Sequence, residues 1–352
     1  MSNNSCANTL SLQTIIDNLR LTTYSILTPI YVIVGLTCHS FFLFALYKQS
    51  RKQPAYMYQV FQSVAETSLV VIRALNILGR FATGQVSDAN NPLSALSYNY
   101  GFMWYCAHMT VYLSDSVLTT SLLLSASMAA DRVFALYKPN TYRSIKHGRH
   151  QMAALVLCVF LSFAASAFDC FRNTLIQLPN GAYMVILNYQ NIGTLKFLLF
   201  AIFICALQLI GLIVLIFLSI ILCLLYRFKY VKPKIGGINA VSTIEQRVAK
   251  RGEKTLASLT MLECIFKAVG TAYPVLMFLT QYASPRIFKC VSPLMTVVLD
   301  MTMMMVDLCG FFAVIVISKG VRQILRQAIP CYCWGWGGGG FTNSVTPAST
   351  MK

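Results

Sequence analysis

The sequence predicts an all-α membrane protein, a bundle of seven transmembrane helices whose N-terminus lies outside the membrane. This prediction rests on three observations: the composition is apolar, seven apolar runs are of membrane length, and Lys and Arg are unevenly distributed. The 352 residues are 57% hydrophobic and 11% charged, whereas soluble domains carry about 25% charged residues. The net charge of +17 therefore indicates basic loops against an anionic lipid bilayer, with no nucleic-acid partner.

A membrane-spanning helix needs about 20 mostly apolar residues. The predicted spans cover about residues 24–47, 57–79, 103–130, 151–169, 196–226, 256–279 and 291–317, and the second, sixth and seventh contain charges. The chain then divides into an extracellular N-terminal segment (1–23), a transmembrane domain (24–317), a short amphipathic helix (318–330) and a flexible cytoplasmic tail (331–352).

The positions of Lys and Arg predict the orientation, because these residues collect on the cytoplasmic side. With the N-terminus outside, the inner segments carry 20 of the 28 basic residues and the outer segments 6, leaving Arg73 and Lys267 within spans. We therefore expect a multi-pass protein of the cell membrane. Asn3, in the sequon Asn3-Asn4-Ser5, is a candidate glycosylation site. No signal-peptide pattern precedes the first span.

Four cysteines fall on the predicted outer side, where an oxidising environment favours disulfides. Cys106 heads the third span and Cys170 begins the second outer loop, so we expect these two to pair. Cys6 and Cys290 are candidates for a second bridge. Four cysteines allow three connectivities, and the sequence does not choose among them.

Patterns typical of enzymes are not found. None of the four histidines stands at metal-ligand spacing from a second His or Cys. Gly335, Gly337 and Gly340 match G-x-G-x-x-G, but they follow no predicted strand and open no predicted helix. We expect no enzymatic activity, no metal and no cofactor.

Two further segments have a defined pattern. In "TLIQLPNGAYMVIL" (174–187), two β-prone runs flank Pro179-Asn180-Gly181, which predicts a hairpin; the alternative is a packed loop. After the seventh span, residues 321–329 have one apolar face, which predicts a short helix on the inner leaflet. Cys331 and Cys333 follow it as candidate palmitoylation sites, or as free thiols of an ordinary tail.

The stretch "DRVFALYKP" (131–139) supplies the most specific pattern. With seven spans, an outside N-terminus and a cysteine heading the third span, it resembles the rhodopsin-like G-protein-coupled receptors. That family has Asp/Glu-Arg-Tyr and a Pro seven residues after the Arg; Asp131, Arg132 and Pro139 match, and Val133 replaces the Tyr. The departures elsewhere are similar to those of nematode serpentine receptors, a chemoreceptor branch.

The other family positions match in part. Glu66 stands for the acid of the second span, and Pro274 for the proline of the sixth, where Ala272 replaces the family's Trp. Asp307 and Phe311 fall on the Asp-Pro-x-x-Tyr pattern of the seventh span, without its Pro. The resemblance implies that Arg132 pairs with Asp131 at rest and meets a heterotrimeric G protein on activation. The alternative for Arg132 is a snorkelling side chain at the membrane border.

Charges inside the spans require partners, because isolated charges in a bilayer are costly. The family often holds a sodium ion between the positions of Glu66 and Asp307. We hypothesise that the Lys267 ammonium replaces this ion and bridges to Glu66 or Asp307, which would offset its desolvation. The alternative is a pair within one helix, since Glu263 precedes Lys267 by four residues.

Three further charges, Arg73, Asp115 and Asp300, lie in the outer halves of their spans. They either line a ligand pocket or pair with each other as a structural lock. The amine-binding acid of related receptors would fall on Ser114, and Asp115 is turned about 100° from it, so an amine ligand is disfavoured.

The sequence thus predicts a receptor for an extracellular peptide or small chemosensory molecule, partnered by a heterotrimeric G protein. The rival reading is an ion channel or transporter that uses the intramembrane charges as an ion path. An odd number of spans and the Asp-Arg-Pro pattern favour the receptor.

Overall fold

The chain is described by a computed structural model, in which placement is defined for part of the residues. These are 18–19, 21–52, 56–82, 92–144, 147–188, 195–228, 254, 257–270, 272, 294, 297–298, 301–302, 304–305, 312, 315–317 and 321–323.

The helices, in chain order, are α1 (Thr28–Lys52), α2 (Met57–Ala82), α3 (Tyr100–His108), α4 (Thr110–Tyr137), α5 (Pro139–Ser144), α6 (His147–Ser166), α7 (Leu195–Tyr226) and α8 (257–270). A π-helical turn, Thr23–Leu27, leads into α1. Short 3₁₀ turns, Pro92–Tyr98 and Ala167–Phe171, precede α3 and follow α6. Strands β1 (Asn173–Gln177) and β2 (Tyr183–Leu187) lie between α6 and α7.

Five helices of the described part are long and apolar enough to cross a membrane. They are Thr23–Arg51, Met57–Gly79, Thr110–Tyr137, Arg149–Phe171 and Ile202–Tyr226. Their exposed surfaces are apolar, as on α7, where Ile210, Ile213 and Phe217 are all more than half exposed. A helix satisfies its backbone hydrogen bonds internally, so such surfaces suit contact with lipid. The chain is therefore a helical multi-pass membrane protein.

α4 lies at the centre of the bundle and packs against α2, α6 and α7. Its buried face is rich in small and hydroxyl-bearing residues, including Ser116, Ser121, Ser125, Ala126 and Ala129. Small side chains let neighbouring helices approach closely, which replaces the hydrophobic drive that is missing between helices in lipid.

The third predicted span is longer than expected and divided in two. It was expected at 103–130, whereas α3 and α4 together run from Tyr100 to Tyr137 and meet at Met109. Backbone hydrogen bonds continue through the junction, with Met109 N 2.9 Å from Tyr105 O. The helix passes beyond Arg132 because Pro139 is the first residue that stops it. A proline disfavours helical geometry at the preceding residue, and Lys138 has φ −126° and ψ 70°.

The predicted hairpin is confirmed. β1 and β2 are antiparallel, with Asn173 opposite Leu187 and Gln177 opposite Tyr183. Gly181 has φ 82°, a left-handed conformation that glycine adopts without steric cost. The hairpin packs on α3, where the Tyr183 and Tyr100 rings meet edge to face at 5.5 Å.

Candidate functional site

Three polar clusters lie along α4. Near its start are Asp115, Asp169 and Arg172, the carboxyl cluster. In its middle are Gln62, Glu66, Ser121, Glu263 and Lys267, the lysine cluster. At its end are Asp131, Arg132 and Tyr142, the arginine cluster. With a rise of about 1.5 Å per residue, the levels of Asp115, Ser121 and Arg132 are roughly 9 Å and roughly 16 Å apart.

The arginine cluster is closed by three mutual contacts. Arg132 Nη2 donates to Asp131 Oδ2 and forms an ion pair with it. Arg132 Nη2 also donates to Tyr142 Oη at 2.7 Å, and Tyr142 Oη donates to Asp131 Oδ2 at 3.0 Å. The guanidinium carbon lies 5.6 Å from the centre of the Tyr142 ring. One tyrosine therefore engages both members of the ion pair.

Burial distinguishes between the two readings of Arg132. A snorkelling arginine keeps its charged head group in water, but the Arg132 side chain is only 6% exposed and that of Asp131 15%. The snorkelling alternative does not fit this geometry. The Arg132 Nε atom is buried and has no hydrogen-bond partner among the described residues, so the pair leaves one donor unused.

Pro139 positions Tyr142. It ends α4 and opens α5, the place in a helix where a missing N–H costs nothing. α5 carries Tyr142 back towards Arg132, and the Tyr142 ring packs edge to face on Phe134 at 6.1 Å. Sequence reasoning included Pro139 and missed Tyr142. The available signal was its place three residues after Pro139, one helical turn into α5.

The environment keeps the Tyr142 hydroxyl protonated. Burial raises the pKa of Tyr142 most strongly; the positive charge of Arg132 lowers it, and the negative charge of Asp131 raises it again. The result is a pKa well above the usual value of a tyrosine. The hydroxyl therefore remains a donor to Asp131 while it accepts from Arg132.

The lysine cluster joins α8 to α2 in the middle of the bundle. Lys267 Nζ lies 2.8 Å from Glu66 Oε1, and the two side chains are 8% and 12% exposed. Glu66 Oε1 also accepts from Gln62 Nε2 at 3.2 Å, and the same Nε2 donates to Ser121 Oγ on α4 at 2.5 Å. The cluster thus connects three helices.

Glu263 belongs to the same cluster. It precedes Lys267 by one helical turn and interacts electrostatically with both Glu66 and Lys267. Glu263 thus lies near the ion pair of Lys267 and Glu66, and its charge acts on both members. Asp307, the other predicted partner, lies outside the described residues.

The carboxyl cluster forms where α4 meets the turn after α6. Asp115 and Asp169 share a side-chain hydrogen bond, and the charge of Arg172 acts on both. Arg73 on α2 faces α1 instead, where its guanidinium carbon lies 5.9 Å from the centre of the Tyr31 ring. Asp115 is therefore engaged by residues that sequence reasoning had not assigned to the pocket.

The predicted disulfide is not formed in this structure, where Cys106 and Cys170 are free thiols. Cys106 packs against α2, because a Cβ added at Gly79 would lie 2.7 Å from its sulfur. The two segments are still joined: His108 Nδ1 lies 2.7 Å from Cys170 O, and Asn173 Nδ2 donates to Ala107 O at 3.1 Å.

The remaining predicted residues lie outside the described part of the chain: Asn3, Cys6, Pro274, Cys290, Asp300, Asp307, Phe311, Cys331 and Cys333. Of the predicted amphipathic helix, residues 321–323 are described. Val321 is fully buried against Phe42, Leu46 and Leu259, and Arg322 Nη1 donates to Ile315 O at 3.1 Å. The start of the segment after the seventh predicted span thus packs against the C-terminal half of α1.

Comparison with protein-family models gives no match, and comparison with curated proteins gives none either. Within the described residues, no group of three His, Cys, Asp or Glu side chains is placed to hold a metal ion.

Proposed function

We propose that the chain is a seven-span receptor of the cell membrane that converts binding of an extracellular ligand into activation of a heterotrimeric G protein. The observation that carries the proposal is the closed arginine cluster, in which Asp131 and Tyr142 both hold the buried Arg132. An arginine is suited to exchange partners, because it stays charged and offers five donors in a fixed plane.

In this mechanism the closed cluster is the resting state. Activation releases Arg132 from Asp131 and Tyr142 towards the G protein, and the outer ligand shifts the population between the two arrangements. The Nε donor favours such an exchange, since it has no hydrogen-bond partner among the described residues in the resting arrangement.

The number of spans and the orientation are part of the proposal. Five apolar helices of membrane length support a multi-pass bundle, and the sixth and seventh spans are inferred from sequence. The Lys and Arg distribution supports an outside N-terminus, with glycosylation at Asn3 and palmitoylation at Cys331 and Cys333 on opposite sides. The pairing of Cys6 with Cys290 is part of the proposal for the outer side.

The lysine cluster is proposed to control the movement of α8. Outward movement of this helix about Pro274 would separate Lys267 from Glu66, while Glu263 travels with Lys267 on the same helix. The ammonium thus keeps one carboxylate in both states, which limits the cost of opening a buried ion pair. In the rhodopsin-like receptors, a sodium ion often lies between the positions of Glu66 and Asp307. The Lys267 ammonium would take the place of this ion.

The ligand side is proposed near the start of α4. The hairpin packs over α3 and carries Arg172 at its base, beside Asp115 and Asp169. With Arg73 and Asp300, these charges would contact the ligand. A hairpin beside the binding region favours a peptide, and the nematode-like departures favour a chemosensory molecule.

The test is G-protein dissociation in cells that express the chain with representatives of each Gα class. The cells are challenged with a library of peptides and small molecules, and separation of Gα from Gβγ is recorded. A ligand-dependent response supports the receptor, and a response in no Gα class would count against it.

An ion channel or transporter is the second candidate, favoured by the polar face that α2 turns to the interior. Gln59, Gln62, Ser63 and Glu66 follow the helical spacing of one face, and Gln59, Gln62 and Ser63 are buried with atoms that lack partners among the described residues. Such a face suits water or ions. Current or flux through purified chain in vesicles, with no G protein present, would favour this candidate.

A further inference from the structure

The Lys/Arg-bearing end of α1 presents four exposed or partly exposed residues on one face: Phe44, Tyr47, Lys48 and Arg51, here called the basic–aromatic face. Their spacing of three, four and seven residues places them in one row along the helix. The opposite face, with Phe42, Ala45 and Leu46, is buried in the bundle. The row therefore points away from the protein core and towards lipid.

Both cations of the basic–aromatic face are held over rings. Arg51 Nη2 donates to Tyr47 Oη at 2.9 Å, and its guanidinium carbon lies 4.8 Å from the ring centre. Lys48 Nζ lies 4.7 Å from the centre of the Phe44 ring. The rings remain 45% exposed in each case. These contacts orient the cations without neutralising them, because a π face carries no net charge.

Within the part of the chain that the structure describes, no carboxylate pairs with this face. Residues 18–65 contain no Asp or Glu, and neither Lys48 nor Arg51 forms an ion pair with a described residue. An exposed cation at the end of a membrane helix is well solvated by water, but two oriented cations beside lipid-facing rings match an anion whose remainder is apolar.

We propose that the basic–aromatic face binds the headgroup of an anionic phospholipid. The phosphate and the second anionic group of the headgroup contact Arg51 and Lys48, and the acyl chains lie along Tyr47, Phe44 and Phe41. The distance along the helix from Phe44 to Arg51 is about 10 Å, which fits a headgroup above the start of its acyl chains. The inference is independent of G-protein coupling and of the orientation of the chain.

The test compares phosphatidylserine with phosphatidylcholine of the same acyl chains, bound to the full chain in detergent and counted by native mass spectrometry. We expect tighter binding of phosphatidylserine. Lys48→Gln/Arg51→Gln is expected to weaken it by about 10- to 30-fold, since each cation near an anionic lipid surface contributes about 1 kcal/mol. Arg149→Gln/Arg227→Gln removes the same charge at two exposed positions, one on α6 and one directly after α7, and is expected to change binding by less than about two-fold.

Two variants separate this site from general charge attraction. Tyr47→Leu keeps both cations and the apolar contact but removes the ring and hydroxyl that orient Arg51, and is expected to weaken phosphatidylserine binding about 3- to 5-fold. Tyr137→Leu, at another exposed tyrosine, is its control. The proposal would be overturned if Lys48→Gln/Arg51→Gln and Arg149→Gln/Arg227→Gln weakened phosphatidylserine binding equally. Equal binding of both lipids by the unmodified chain would also overturn it. If soluble glycerophosphoserine, which has no acyl chains, displaced phosphatidylserine as well as the intact lipid does, the site would bind a free anion and the lipid proposal would be wrong.

Discussion

Lys267 Nζ on α8 lies 2.8 Å from Glu66 Oε1 on α2, and both side chains are nearly withdrawn from solvent. The pair joins two helices in the middle of the bundle, and Glu263 adds a second carboxylate from α8. A buried ion pair is sensitive to loss of one partner, because the remaining charge keeps its full desolvation cost.

Substitutions in the lysine cluster are expected to destabilise the fold by unequal amounts. Lys267→Met leaves Glu66 and Glu263 without a cation and should destabilise the fold by about 3–5 kcal/mol. Glu66→Gln should cost less, because Glu263 still neutralises Lys267. Thermal unfolding of the purified chain measures both, with Lys254→Met, at an exposed lysine near the start of α8, as the control. If Glu66→Gln lowers the thermal stability more than Lys267→Met does, Glu263 does not neutralise the Lys267 ammonium.

Sodium is expected to replace the missing ammonium. In Lys267→Ala, two carboxylates face a vacated space, so sodium ions should stabilise this variant by raising its Tm. The unmodified chain should melt at the same temperature in NaCl and in choline chloride of equal ionic strength. A sodium-dependent Tm in the unmodified chain, or none in Lys267→Ala, would show that Lys267 does not occupy a cation site.

Tyr142→Phe should open the arginine cluster. The substitution removes the hydroxyl that accepts from Arg132 and donates to Asp131, a loss of about 1–3 kcal/mol of resting-state stabilisation. We expect ligand-independent nucleotide exchange on the G protein to increase several-fold. Tyr137→Phe, at a tyrosine that is 68% exposed, is the matched control and should leave exchange unchanged. Unaltered exchange in Tyr142→Phe would mean that Asp131 alone holds Arg132.

Gly79→Ala should disturb the contact between α2 and α3. Its new Cβ would lie 2.7 Å from Cys106 Sγ, closer than packing permits, so we expect a destabilisation of about 1–3 kcal/mol. Cys106→Ala in the same chain should restore much of the loss. Gly101→Ala is the control, since its Cβ would meet only Asn99 Oδ1, at 3.5 Å. Denaturation midpoints measure all three, and a neutral Gly79→Ala would place Cys106 elsewhere.

The five membrane-length helices of the described part were predictable because each follows from a run of apolar residues long enough to cross lipid. The expected 57–79 and 196–226 agree closely with Met57–Ala82 and Leu195–Tyr226. The end of α4 was missed by seven residues, because the prediction ended the span at the adjacent charges Asp131 and Arg132. Burial of Asp131 and Arg132 against Tyr142 lets the helix continue, and a charge count along the sequence does not contain that contact.

Site residues were predictable where partners lie within one helical turn or in a known motif, as for Asp131, Arg132 and Glu263. The bond between Asp115 and Asp169 joins residues 54 positions apart, so only the packing of α4 against the turn after α6 brings them together. The partner of Lys267 was left open between Glu66, Asp307 and Glu263. The structure assigns Glu66 because α2 and α8 approach at that level.

The most direct test of the central claim is G-protein dissociation in cells that express Arg132→Ala beside the unmodified chain at equal surface levels. With any compound that activates the unmodified chain, we expect loss of the response in Arg132→Ala. The same compound should still bind, because Arg132 lies roughly 26 Å along α4 from Asp115. A full response without the Arg132 side chain, or a current that needs no G protein, would contradict coupling to a G protein through Arg132.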